Sequence, residues 1–137
     1  HILTEELIMF YAFAYTVKKE DLVTAKYRLD MDLSAGIIHQ VDVLFQKGCA
    51  HEINVQIFRG GHQLWPSNRG FALRGDATII SFREFLELRG ARNDLYALIW
   101  TTDETVLKEI IIQIGILPRE IIQPISFDQL VETILAL

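Results

Sequence analysis

The sequence predicts a mainly β fold, an antiparallel β-sandwich or jelly roll of roughly six to eight strands with a short C-terminal amphipathic helix. Apolar and polar residues alternate with period two along most of the chain, and turn residues recur about every ten positions. Clear helical periodicity is confined to the last segment. A parallel sheet needs crossover helices between its strands, and this chain has no room for them.

The elements follow in order. The aromatic run FYAFAYTV, ending at Val17, reads as the first strand. In KYRLDMDLSAGIIHQVDVLFQKG, Tyr27, Leu29, Met31 and Leu33 share one face, and Lys26, Arg28, Asp30 and Asp32 share the other. The alternation resumes with Val41, Val43 and Phe45 against Gln40 and Asp42, so Ser34-Ala35-Gly36 is expected to be a short hairpin connection. HEINVQIFR sets Ile53, Val55 and Ile57 against Glu52, Asn54 and Gln56, and Gly60-Gly61 ends that strand. The stretch FRGGHQLWPSNRGF, residues 58–71, reads as a long irregular loop.

DATIISF and DLYALIWTT read as two further strands. Between them, SFREFLELRG has Ser81 and Glu84 at capping-box spacing, which leaves a short helix open; a strand through Phe82 running into a loop is preferred. LKEIIIQIGILP places Ile110, Ile112, Ile114 and Ile116 on one face, with Pro118 as terminator.

Residues 1–118 are therefore assigned to the sandwich, and 119–137 to a Pro-bounded connector and a helix. Ser126 and Gln129 fit a capping box, and Phe127, Leu130, Val131, Ile134 and Leu135 form one apolar stripe. A helix of about three turns is marginal alone. It packs either on its own sandwich or on a neighbouring chain.

At 137 residues the chain is long enough to bury one core, and 50% hydrophobic against 23% charged residues excludes disorder. The mean hydropathy of +0.23 is high for so small a domain and points to apolar surface buried against other chains. Net charge is −5, with no like-charge run longer than Glu5-Glu6 or Lys18-Lys19, so no nucleic-acid partner is expected. The apolar run Leu7 to Val17 is shorter than the ~20 residues of a membrane span. Glu5 and Glu6 stand where a signal peptide would be basic, so no targeting segment is read.

Chemistry is sparse. The single Cys49 excludes an intrachain disulfide and a multi-cysteine zinc site. His39, His51 and His62 lie on three segments without metal-ligand spacing, although His39 and His51 would face each other if their strands paired, with Glu52 adjacent. Asp30, Asp32, Asp42 and Glu52 alternate outward and read as solvated strand faces rather than a glycosidase pair. Gly60-Gly61 opens no phosphate-binding motif, and Arg74-Gly75-Asp76 reads as an ordinary turn before a strand. No catalytic residue, cofactor or metal is expected, and the protein is read as non-enzymatic.

Trp65 remains, with His62, Arg69 and Phe71 near it in sequence. Tryptophan and arginine are enriched at the energetic centres of interfaces, and Pro66 holds the residue before it extended. The indole either plugs one end of the sandwich, meets a protein partner or stacks on a small ligand. Leu44, Phe58 and Ile111 interrupt polar outward faces, and LYALIW is apolar on both, which calls for cover by the terminal helix or by another subunit.

The expected function is that of a structural protein that forms a homo-oligomer and docks on another structural protein. By architecture alone it compares with capsid, decoration or tail domains, which would place it in a virion or at a cytoplasmic assembly site. A carbohydrate- or ligand-binding module is the alternative. The interface candidates are Trp65, His62, Arg69 and Phe71 of the loop and Phe127, Leu130, Val131, Ile134 and Leu135 of the helix.

Overall fold

The computed structural model of the chain describes residues 9–89, 94–118 and 127–136, with backbone alone at 127–130 and 133. The strands are β1 (Met9–Thr16), β2 (Tyr27–Asp30), β3 (Gly36–Phe45), β4 (Ile53–Arg59), β5 (His62–Trp65), β6 (Thr78–Leu88), β7 (Leu95–Thr101) and β8 (Glu109–Pro118). One helix follows, α1 (Phe127–Ala136).

Strand pairing is nested. β1 pairs with β8, β2 with β7, β3 with β6 and β4 with β5, all antiparallel, so the chain is a single ribbon folded about the β4–β5 turn. Two more ladders, β3 with β8 and β4 with β7, join the ribbon into sheets of order β1-β8-β3-β6 and β2-β7-β4-β5. Two four-stranded sheets connected in this way are a jelly roll. The nesting also closes the chain on itself, because the first described strand lies beside the last.

Period-two alternation builds the core in rows. Across the first sheet, Phe13, Ile112, Val43 and Ile80 stand opposite one another, flanked by the row Tyr11, Ile114, Val41 and Phe82. Across the second, Leu29, Ala97, Ile57 and Trp65 form the facing row. Ile110, Ile112, Ile114 and Ile116 are all fully buried, as are Ile53, Val55, Ile57 and Ile99. β-branched side chains suit this position, since their stiff χ1 loses little freedom on a pleated surface.

Three expectations are corrected. Ser34-Ala35-Gly36 is not a hairpin: β2 belongs to the second sheet and β3 to the first, so the connection crosses the sandwich. Met31 and Leu33 are buried and cover that end of the core, although they alternate as strand residues would. Gly36 is needed for close approach, because a Cβ there would come 2.4 Å from the Leu117 carbonyl oxygen and 2.7 Å from Ile116 Cγ2. The true hairpin lies at Gly60-Gly61, and His62–Trp65 of the supposed loop forms β5. The strand through Phe82 does not break but continues to Leu88.

The connector 119–126, including the Ser126 cap, lies outside the described residues. Helix α1 rests on the outer face of the first sheet: Ile134 is 2% exposed, and Arg83 of β6 donates through Nη1 to the Leu135 carbonyl. Ile37 and Leu117, opposite each other in the β3–β8 ladder, are buried although they lie outside the core cluster.

Gly36→Ala is expected to destabilise the fold by about 1–3 kcal/mol, the usual range for overpacking. Gly61→Ala, where an added Cβ meets nothing within 4 Å, serves as the control and is expected to be near neutral. Urea unfolding midpoints of the two variants check this.

Candidate interaction surface

The loop from 58 to 71 is ordered by a glutamine. Gln63 is buried, and its Nε2 donates to the carbonyls of Pro66 at 2.7 Å, Phe71 at 3.2 Å and Asn68 at 3.4 Å. Its Oε1 accepts from the Gly70 N–H at 3.2 Å, and Gln56 adds a second donor to the Phe71 carbonyl at 3.0 Å. Leu73 then returns to bridge Val55 of β4. Buried amides that find this many backbone partners fix a loop rather than offer themselves to a ligand.

Trp65 faces inward. It is 6% exposed, packs edge-on against Phe82 at 5.5 Å and donates its indole N–H to Glu84 Oε2 at 2.8 Å. The contact bridges the two sheets at their β5 and β6 edges. Trp65 therefore leaves the set of interface candidates: its row partners Ile57, Ala97 and Leu29 put it on the core face. His62, Arg69 and Phe71 are exposed, Phe71 at 64%, and they do not gather around the indole. Of the helix stripe, Ile134 is buried, Val131 half-buried and Leu135 59% exposed; the side chains of Phe127 and Leu130 lie outside the described residues.

The groups considered for chemistry are separated. His39 sits in β3 on the first sheet, while His51 lies in an exposed turn at φ 58°. Asp30 is on the second sheet, held by Arg28 at 2.8 Å, and Asp42 is on the first, where it accepts from Gln40 and Ser81. Glu52 accepts from the Thr102 hydroxyl. Asp76 accepts from the N–H groups of Gly48 at 2.7 Å and Ala50 at 3.1 Å, bonds that hold its carboxyl below the usual range and tie the Arg-Gly-Asp turn to the loop after β3. Cys49 beneath that loop is fully buried, and burial pushes its thiol up. Among the described residues, no three His, Cys, Asp or Glu side chains converge as metal ligands.

The unusual surface is on the outer face of the first sheet, in three successive rows. The row at one end is apolar: Ala14, Ile111, Leu44 and Ile79. Ile79 is 57% exposed, and with Leu44, Ile111 and Ala77 it lines an open groove of about 550 Å³. The middle row is Ala12, Gln113, Asp42 and Ser81, a polar strip tied by the Gln40–Asp42–Ser81 hydrogen bonds.

The third row is Phe10, Gly115, Gln40 and Arg83, and here the sheet is irregular. The β3–β8 register shifts between Ile38 and Gln40, giving β3 one extra residue against β8. Ile38 and Val41 both stay in the core, so the bulge turns His39 and Gln40 to the same outer side. His39 is 5% exposed, lies edge-on to Phe10 at 5.9 Å and, among the described residues, has no partner for its Nε2. Gly115 makes the room, since a Cβ there would stand 3.0 Å from that nitrogen and 2.8 Å from the Phe10 ring. Burial, reinforced by Arg83, pushes the imidazole below its ordinary 6.5.

Sequence reasoning missed Phe10, Ile79 and His39 as parts of one face. Strand parity was the available signal for the first two: Phe13 and Ile80 point inward, so Phe10 and Ile79 must point out. The bulge that turns His39 left no such mark. Searched against models of known protein families the chain matches none, and no curated protein is significantly similar to it. The fold and this surface define an antiparallel jelly-roll sandwich that is apolar on part of an outer face.

Two outcomes are expected. Trp65→Ala should destabilise the domain by about 3–5 kcal/mol, as a buried large-to-small change does; denaturant unfolding followed by circular dichroism measures it. For His39 the folded pKa lies below the unfolded 6.5, so the stability tied to its neutral form is whole above pH 6.5 and is lost as pH falls below it. Unfolding midpoints at pH 7.5, 6.5 and 5.5 should decline in the native protein, and less steeply in His39→Leu.

Proposed function

We propose that this protein is a non-enzymatic structural subunit that self-associates and docks on a further structural protein. The observation that supports this reading is the apolar row Ala14, Ile111, Leu44 and Ile79 on an outer sheet face. A strand face turned to water is expected to be polar, and the middle row of the same sheet is. Alternation sets these four side chains outward, and neither the core nor any described part of α1 needs them there. The mean hydropathy of +0.23 agrees with apolar surface in excess of what one core accounts for.

The eight-strand jelly roll is shared by viral capsid proteins, lectins and cupins, so architecture alone does not choose among them. The inward Trp65 takes away the stacking platform on which a carbohydrate-binding reading rested. With the apolar row in its place, capsid-, decoration- or tail-like assembly is the reading we favour.

Light scattering behind size exclusion tests it: the native protein is expected to elute as an oligomer whose mass rises with concentration. Ile79→Lys, at an exposed position, should leave the fold intact and weaken docking on the structural partner about tenfold or more, since burying an isoleucine contributes roughly 1.5–3 kcal/mol. A compact monomer at every concentration, with no structural partner recovered, would overturn the proposal.

A further inference from the structure

We infer that β1 is the site of self-association, and that a second copy of the chain adds its own β1 antiparallel to the open edge of the first sheet. This rests on the assembly reading above and names the surface and the partner.

A sheet edge presents unpaired N–H and C=O groups, and folded proteins protect such edges with charges, inward-pointing charged side chains, shortness or cover. Three of the four edges here are protected. β2 is four residues long and carries Arg28 and Asp30. β5 is also four residues long, and past its end Leu73 continues the pairing by bridging Val55 of β4. β6 carries Arg83, Glu84 and Glu87, with Glu84 turned inward to the Trp65 indole. Among the described residues β1 has none of these devices. Its eight residues, MFYAFAYT, include no charge and no proline, and its ladder with β8 runs from Met9 to Thr16 without a bulge. Among the described residues nothing pairs with its other edge.

The occupant follows from the strand's own pattern. In the sequence Glu5 and Glu6 precede β1, and the exposed Lys18 and Lys19 follow it directly, ahead of Glu20 and Asp21. An antiparallel copy therefore runs its acidic end toward the basic end of its mate, while a parallel copy sets like against like. With the two-fold axis at Ala12, Phe10 of each copy stands opposite Ala14 of the other on the outer face, a large side chain against a small one. Phe10 is 64% exposed and Ala12 and Ala14 are exposed, so this face is free to meet its mate. On the inner face, Tyr11 of one copy stands opposite Phe13 of the other, a cross-strand aromatic pair. The two first sheets then become one of eight strands, closed by an isologous contact.

Single nitroxide labels test the geometry; Cys49 is fully buried, so an introduced cysteine takes the label. In the native oligomer, labels on Ala12→Cys should show strong dipolar broadening, because directly paired Cβ atoms are about 5 Å apart. Labels on Thr16→Cys should lie roughly 27 Å apart, eight residues at about 3.4 Å each. Ala12→Lys sets two like charges opposite each other and should shift the light-scattering mass to the monomer with an unchanged circular dichroism spectrum. Close labels at both positions mean parallel strands and overturn the inference. An oligomer that persists in Ala12→Lys with its position-12 labels far apart overturns the edge and leaves the assembly reading standing. A native protein that is monomeric throughout overturns both.

Discussion

The constraint on which the rest of this structure depends is the burial of β8 between β1 and β3. Ile110, Ile112, Ile114 and Ile116 each have a partner on both sides, so one row of side chains ties the start of the chain to its end. Nothing local forms this row. The β1–β8 ladder joins residues about a hundred positions apart, a loop closure that must be met before the contacts repay it. The nested ribbon turns that long closure into a sequence of shorter ones, beginning at the tight β4–β5 turn and ending with β1 on β8. Non-local pairing of this kind places the fold among slow-folding topologies.

Wrapping a ribbon around a core brings polar chain across both ends of the sandwich, and the connections show how those groups are satisfied. Asp76 accepts two backbone N–H groups of the loop after β3, and Asp21 accepts the Lys18 N–H at 2.9 Å and the Tyr15 hydroxyl at 2.5 Å. Burial and the Asp21 carboxylate together push the Tyr15 phenol well above its ordinary value. Gln63 does the same work for the loop after β5. In these three connections a carboxylate or amide side chain gathers the polar groups of the turn.

How much of this was legible follows from where alternation decides the outcome. The inner faces of β4 and β8 were readable because period two runs through each between clear turns, and Ile53, Val55 and Ile57 land where parity puts them, as do Ile110, Ile112, Ile114 and Ile116. Alternation does not say which strand lies beside which. Tyr27 to Leu33 and Val41 to Phe45 alternate in step, yet they belong to different sheets, and Met31 and Leu33 are buried in the connection itself. Nor does composition separate a four-residue strand from a loop: HQLW pairs with β4 because Gly60, at φ 59°, turns the chain back tightly. Trp65 was ambiguous for the same reason. Once β5 exists, its register with Ile57 decides that the indole points inward.

The same parity that fills the core determines the character of the outer faces, and it explains why the first sheet is divided. Below the bulge, outward residues are set by strict alternation, and the isoleucine-rich strands β6 and β8 offer Ile79 and Ile111 because their neighbours Ile80, Ile110 and Ile112 must face in. At the bulge, His39 and Gln40 turn out together, and the half of the face beyond it holds Ile37 and Leu117, both buried. The bulge thus marks the boundary between apolar outer surface that is buried and apolar surface left open. The side chains of the open half belong to neither core row. β1, uncharged and without a bulge, borders that open half at Ala14.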